Sequence, residues 1–217
     1  MGVLGIDTAG PVVSLGWWAG PDAPSRLWEQ RVVLGADAVF FPVLEDWLSA
    51  LPGLTRVAVS HGPGAFVGLR VGLASAMGVA LARGVRLAPV CALAARAARA
   101  EGPVLSLLDA RKGRVYARWF EVERGAPRAL GPAVDAPLAE VLAARPVAGL
   151  VTAVGEGAAV FAADLHAAGV RVLSSADAGV GLEVARLGAE GPGEAPEAVG
   201  LAYVRPPDIH PGARGPG

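Results

Sequence analysis

The residues able to do chemistry are few, and they stand where strands end. Asp7-Thr8 closes a short apolar run and leads into Ala9-Gly10. An aspartate there could hold a metal or approach a phosphate, because backbone amides in such turns bind anions. Asp109-Ala110-Arg111-Lys112-Gly113 repeats the strand-to-aspartate arrangement in the second half of the chain. Two long cations fill that turn, so an anion would meet side-chain charge rather than a backbone cradle. Val154-Gly155-Glu156-Gly157-Ala158 ends a strand and opens a helix, whose N-terminus favours anions. Glu156 would repel a phosphate at that point. Gly62-Pro63-Gly64 opens another helix but lacks the lysine and the serine or threonine of a P-loop. An ordinary hairpin or helix-opening turn is the simpler reading of each of these stretches.

No other constellation stands out. His61, His166 and His210 are scattered, and no pair has a metal-ligand spacing. Ser60 and His61 are neighbours on an extended run, so their side chains point to opposite faces. The single cysteine, Cys91, can form neither a disulfide framework nor a zinc site. It reads as a small buried hydrophobe. The residues therefore predict no catalytic group, no metal and no cofactor.

Composition narrows the classes further. The chain has 217 residues, enough for one large or two small domains, with 53% hydrophobic residues and a net charge of −1. A basic nucleic-acid footprint is absent, so any role in RNA chemistry needs a partner to contact the phosphates. There is no charged-then-apolar leader at the start. The uncharged run Val71–Ala82 is too short for the ~20 residues of a membrane span. These features predict a soluble, cytoplasmic protein. The basic residues include one lysine, Lys112, and asparagine is missing altogether.

The turns must be positioned by the elements around them, and Val57–Gly84 is the clearest of these. An apolar strand stops at His61-Gly62-Pro63-Gly64, and a long apolar helix follows as far as Arg83-Gly84. Gly64, Gly68, Gly72, Ala76 and Ala80 recur every four residues, on one helical face. Each interior glycine costs about 1 kcal/mol against alanine. Gly68, Gly72 and Gly78 therefore imply a close approach by another backbone. Phe66, Leu69, Leu73 and Met77 form a bulky stripe beside them.

Before this unit, the strands 2–6, 12–18 and 26–34 predict two successive hairpins. A helix follows over 36–51, with Asp37 as a candidate cap and Pro42 inside it. After the unit come a strand at 87–90 and a small helix at 92–100. The pattern then begins again: strands at 103–108, 114–122 and 128–134, a helix at 137–144, a strand at 147–154, and helices at 158–168 and 178–187 with Asp177 as a possible cap. Two blocks of the same element order suggest a duplication, although the halves share almost no sequence. The expected division is an N-terminal lobe over 1–102, a C-terminal lobe over 103–205 and a loose tail over 206–217.

At this point the residues resemble a family. His61-Gly62-Pro63-Gly64-Ala65-Phe66-Val67-Gly68-Leu69-Arg70-Val71-Gly72 resembles the GPGSFTGLRIG signature of the TsaB (YeaZ) family. Other pieces follow in the family's order. They are Ile6-Asp7-Thr8, Phe41-Pro42-Val43-Leu44, Pro89-Val90, Asp109-Ala110-Arg111 with Val115-Tyr116, Val154–Ala158, and Tyr203-Val204-Arg205. Ala65 and Val67 stand where the family has serine and threonine. Ala36-Asp37-Ala38 stands where it commonly has His-Ser-Glu. Each change removes a hydroxyl or an imidazole and leaves a packing role intact.

The resemblance implies the actin/sugar-kinase/Hsp70-like α/β fold, with two related lobes, each a mixed sheet with an antiparallel start and covering helices. It implies a non-catalytic subunit that pairs with a catalytic paralogue, TsaD, in threonylcarbamoylation of the tRNA adenosine beside the anticodon. A TsaE-like ATPase would join through that complex, tRNA would be met only through it, and a homodimer is possible. The family pairs through its two N-lobe helices. Carried over, the expected interface is Phe40, Leu44, Phe66, Leu69, Arg70, Leu73 and Met77. Gly64, Gly68, Gly72 and Ala76 would be the close-packing stripe. Asp7, Thr8 and Asp109 would be degenerate phosphate-loop positions. Two alternatives of the same chain are a nucleotide-dependent enzyme and a peptidase acting on the paralogue.

Overall fold

The computed structural model describes residues 2–32, 36–51 and 53–204, with only the backbone of residues 36 and 37. The expectations for Asp37, Arg205 and the tail 206–217 lie outside the described residues.

The chain builds two sheets of equivalent topology. The first contains β1 (Gly2–Asp7), β2 (Val12–Trp18), β3 (Arg26–Arg31), β4 (Leu54–Gly62) and β5 (Arg86–Cys91), in the spatial order β3-β2-β1-β4-β5. The hairpin strands pair antiparallel, while β4 runs parallel to both β1 and β5. The second contains β6 (Gly102–Arg111), β7 (Arg114–Glu123), β8 (Ala126–Ala129), β10 (Val151–Val154) and β11 (Val170–Val172), in the order β11-β10-β6-β7-β8. A short β9 (Val134–Pro137) pairs with β7 off this path. Again the hairpin strands are antiparallel and β6, β10 and β11 are parallel.

The helices follow from the same patterns. On the first sheet α1 (Ala36–Ala50) and α2 (Phe66–Arg83) share one core cluster, where Phe40, Leu44 and Trp47 meet Leu73, Ala76 and Ala80. Gly84, at φ 61°, ends α2 in the left-handed conformation and returns its amide to the last turn. Arg83 donates to the Leu48 carbonyl, linking the two helix ends. The helix α3 (Ala92–Ala97) leads into the second sheet, on which α4 (Leu138–Ala143), α5 (Glu156–Val160) and α6 (Ala162–Ala167) follow.

The last helix, α7 (Gly181–Ala189), returns to the first sheet. Val180, Val184 and Ala185 form a cluster with Val3, Ala58, Ala88 and Val90. The approach is close because the sheet face is bare there. A Cβ at Gly5 would lie 2.1 Å from the Gly181 carbonyl oxygen, and one at Gly16 would lie 2.2 Å from the Gly181 carbonyl carbon. Arg56 donates to the carbonyls of Gly188 and Ala189, which α7 leaves open at its C-terminus. The division of lobes at residue 102 would put α7 with the second lobe, but its packing belongs to the first.

Some expected elements differ. The strand expected over 128–134 is two short strands, β8 and β9, with Gly131-Pro132 between them. The helix expected over 158–168 is two, α5 and α6, meeting at Phe161. Asp177 does not cap α7, whose N-cap is Val180; its carboxylate pairs with Arg31 instead. Among the described residues, α2 alone is long and apolar enough by length and composition to cross a membrane. Its inner face lies on the first sheet.

Candidate functional site

The structure brings two of the candidate turns together and closes them on each other. Asp7 ends β1, and Glu156 opens α5 just after β10. Between them lies Arg96 of α3. Its guanidinium grips both oxygens of Asp7, at 3.1 Å from Nη2 to Oδ2 and 3.5 Å from Nη1 to Oδ1. Its Nε donates to Glu156 Oε2 at 3.3 Å, and Nη1 also donates to the Ala92 carbonyl. The side chains of Asp7, Arg96 and Glu156 are 0%, 5% and 10% exposed. Gly10 completes the enclosure, since a Cβ there would lie 2.9 Å from Glu156 Oε1 and 3.0 Å from Arg96 Nη2.

The charges answer to this burial. Desolvation works against the Arg96 cation, but Asp7 and Glu156 outweigh it and hold its pKa above the ordinary value. Burial pushes the Glu156 carboxyl up, although Arg96 opposes the shift. The place where an anion could have met two turns is thus filled by the chain's own guanidinium, with both carboxylates turned toward it. Asp109 stands apart. It accepts from the Arg111 amide and pairs with the Arg111 side chain at 3.5 Å, closing its own hairpin turn. Among the described residues no group of three potential metal ligands converges.

The small-residue stripe seats α2 on the turn that follows β1. A Cβ at Gly64 would lie 2.4 Å from the Ala9 carbonyl oxygen, one at Gly68 2.2 Å from the Thr8 carbonyl oxygen, and one at Gly72 2.1 Å from Thr8 Oγ1. Thr8 Oγ1 donates to the Gly68 carbonyl at 2.8 Å, and the Ala65 amide donates to the Ala9 carbonyl at 2.8 Å. Ala76 continues the stripe, fully buried. Thr8 therefore anchors a helix rather than facing a ligand.

The expected interface residues divide into two groups. Phe40 and Leu69 are fully buried, and Leu44 and Leu73 nearly so; all four lie in the core, where a partner cannot reach them. Phe66 and Met77 are half-buried, and Arg70 is exposed. Arg70 lies over the Phe66 ring at 3.7 Å, and Phe66 packs against Tyr203 with ring centroids 5.7 Å apart. The open face of α2 carries other residues: Val67, Val71, Ala74, Gly78 and Leu81. Val67 and Leu81 are 71% and 59% exposed, and a Cβ at Gly78 would meet nothing within 4 Å. On α1, Phe41 is 47% exposed beside the buried Phe40.

Sequence reasoning noted Glu156 as a charge in a turn but missed Arg96 altogether. The signal was an arginine within the alanine-rich segment Ala92–Ala97, where an unpaired cation would have no reason to be buried.

Comparison with known proteins now bears on the family. Residues 42–177, well over half of the chain, match the family described as TsaD: tRNA N6-adenosine threonylcarbamoyltransferase. A protein named tRNA threonylcarbamoyladenosine biosynthesis protein TsaB, from Escherichia coli, is 32% identical over 57% of this chain and 56% of its own length. The chain belongs to the TsaB (YeaZ) members of this family. An uncharacterized protein of Mycobacterium leprae is 37% identical over 62% of this chain and 39% of its own length. The alignments thus span between about two fifths and three fifths of these curated relatives. A crystal structure from Pseudomonas aeruginosa, described as similar to peptidase YEAZ, superposes with a TM-score of 0.80 at 22% identity, covering 94% of this chain and 99% of that one. YeaZ of Pseudomonas aeruginosa superposes at 0.76 and 23% identity, covering 93% and 99%. The fold of this TsaB-like chain is therefore the α/β arrangement of those structures, two mixed sheets of one topology, in agreement with the two related lobes that the family resemblance implies.

Proposed function

We propose that this chain is a pairing subunit, without catalysis of its own, in the biosynthesis of tRNA threonylcarbamoyladenosine. Its partner is a TsaD-like catalytic paralogue of the same fold, which carries the transfer to the adenosine beside the anticodon. A TsaE-like ATPase and the tRNA are met through that complex, in the cytoplasm, and a homodimer uses the same surface when the paralogue is absent. The two lobes of this reading are 1–102 and 103–205, with α7 returned to the first.

The observation that supports this reading is the uncovered face of α2. The helix is apolar nearly all round, yet only a third of its residues are buried. A helix apolar on every side is normally covered on every side. Val67, Val71, Ala74, Gly78 and Leu81 alternate spacings of four and three residues, the seam of a helix that packs against other helices. Small residues in its middle admit a close neighbour. The interface is thus the opposite side of α2 from Leu69 and Leu73, extended by Phe41, Phe66 and Arg70. Arg96 supports the non-catalytic part of the reading, because a nucleotide phosphate would have to displace a buried, doubly paired cation.

Val67→Asp tests the surface. The side chain is mostly in water, so the monomer of the variant should keep its fold. Complex formation with the co-expressed paralogue, followed by analytical ultracentrifugation, should weaken at least a hundredfold, as expected when a charge enters an interface core. A complex of undiminished affinity would rule this face out. Calorimetry with magnesium and ATP on the lone protein tests the rest, and micromolar binding would favour a nucleotide-dependent enzyme.

A further inference from the structure

The buried ion cluster does more than fill a junction, because it stands at the head of a chain of contacts that ends in α2. Glu156 belongs to the second sheet's side of the molecule, and Asp7 ends the central strand of the first. Arg96 joins them with a two-toothed grip on one carboxylate and a single hydrogen bond to the other. Asp7 Oδ1 also accepts from the Ala9 amide at 3.4 Å, tying the carboxylate to its own turn. The next residues of that turn carry α2: Thr8 Oγ1 on the Gly68 carbonyl, the Ala9 carbonyl on the Ala65 amide, and two glycines pressed on the Thr8 backbone and hydroxyl. The route from Glu156 through Arg96 and Asp7 to Thr8 and Ala9 therefore runs through buried groups, and it reaches the first turn of α2 through direct hydrogen bonds to half-buried Gly68 and exposed Ala65.

We propose that Arg96 is a positioning residue: by clamping Asp7 to Glu156 it fixes the 7–10 turn, and through that turn it sets the placement of the α2 N-terminal half against the second lobe. A buried ion pair of this kind adds little net stability over an apolar replacement, but it selects one arrangement among several. A planar guanidinium suits the task, since its fork fixes direction as well as distance. The inference concerns the lone chain and holds whatever partner meets α2.

Hydrogen exchange followed by mass spectrometry on the full chain tests it. Two variants are compared with the wild type: Arg96→Lys, which keeps the charge and loses the fork, and the neutral triple Asp7→Asn/Arg96→Met/Glu156→Gln, which leaves no unpaired charge behind. In both, amides over 66–73 should exchange at least tenfold faster, while those of α7, on the other face of the first sheet, stay as in the wild type. Wild-type exchange over 66–73 in the triple variant would mean that Arg96 merely neutralises two carboxylates, and the proposal would fall. Acceleration confined to α3, or spread evenly over both sheets, would overturn it equally. A triple variant too unstable to purify leaves the decision to Arg96→Lys: unchanged exchange over 66–73 sinks the proposal and a tenfold rise there alone sustains it.

Discussion

Gly68 and Gly78 sit in one helix and have opposite surroundings. At Gly68 an added Cβ would lie 2.2 Å from a backbone oxygen, Thr8 O, which cannot swing aside. At Gly78 it would meet open space. Gly68→Ala should therefore destabilise the chain by about 2 kcal/mol or more, the upper part of the overpacking range. Gly78→Ala should stabilise the lone chain by about 0.5–1 kcal/mol, the ordinary gain from removing a glycine inside a helix. Urea denaturation of both variants checks the pair, and equal shifts would contradict the packing described. If Gly78 is small because a neighbouring helix lies against it, the same substitution should weaken pairing while it strengthens the fold. Phe40 and Phe41 make a similar contrast. Phe40→Ala removes a ring from the core and should cost about 3–5 kcal/mol. Phe41 is half in water and should cost far less in the lone chain.

At the scale of elements, much of the chain was legible from its periodicity. Val12–Trp18 and the long α2 read directly from apolar patterns bounded by glycine. The interface did not, and the reason is physical: α2 is apolar on both sides, so periodicity finds stripes without saying which one meets the sheet. The stripe of Leu69 and Leu73 looked like an anchor and is core; Val67, Ala74 and Leu81 were not singled out, and Gly78, read as a close-approach glycine, has nothing within 4 Å of an added Cβ. The placement of α7 was also illegible. A helix that returns from one sheet to another leaves no local trace, and the cues were distributed: bare Gly5 and Gly16 on the sheet, Gly181 and Gly188 on the helix, and Arg56 far away in sequence. Arg56 gives this packing a test. Its Nη1 serves the carbonyls of Gly188 and Ala189 at 2.9 and 3.0 Å. Arg56→Leu leaves those acceptors without that donor and should cost about 1–3 kcal/mol. Exchange protection should fall first in the last turn of α7, and an unaltered α7 would show that the helix is held by its apolar face alone.

For the molecule as a whole, the two sheets repeat one topology with different occupants at their equivalent turns. The first keeps its aspartate buried against Arg96; the second spends Asp109 on its own hairpin. What joins the C-terminal segment to this frame is the end of β4, where the Ala202 amide donates to the His61 carbonyl. Burial depresses the His61 pKa below its usual value, against weaker opposing effects of the Gly200 backbone and Glu194. The sign of the linkage follows. The unfolded chain takes up this proton first as pH falls, so the stability tied to neutral His61 is present above pH ~6.5 and is lost as pH falls through the depressed value. Glu156 and Glu183 act in the other direction. Burial raises both, so their contribution is whole at acid pH and is lost as pH rises above the ordinary glutamate range. The wild-type profile is therefore a sum of opposed slopes, and a variant must isolate one of them. His61→Gln keeps a neutral polar side chain at all pH values. Between pH 7.5 and 5.5, denaturation midpoints of the wild type should fall relative to His61→Gln, and the gap should widen as pH drops. Parallel profiles over that window would show that His61 titrates as freely as in the unfolded chain, and the packing of residues 199–204 on the end of β4 would then need another account.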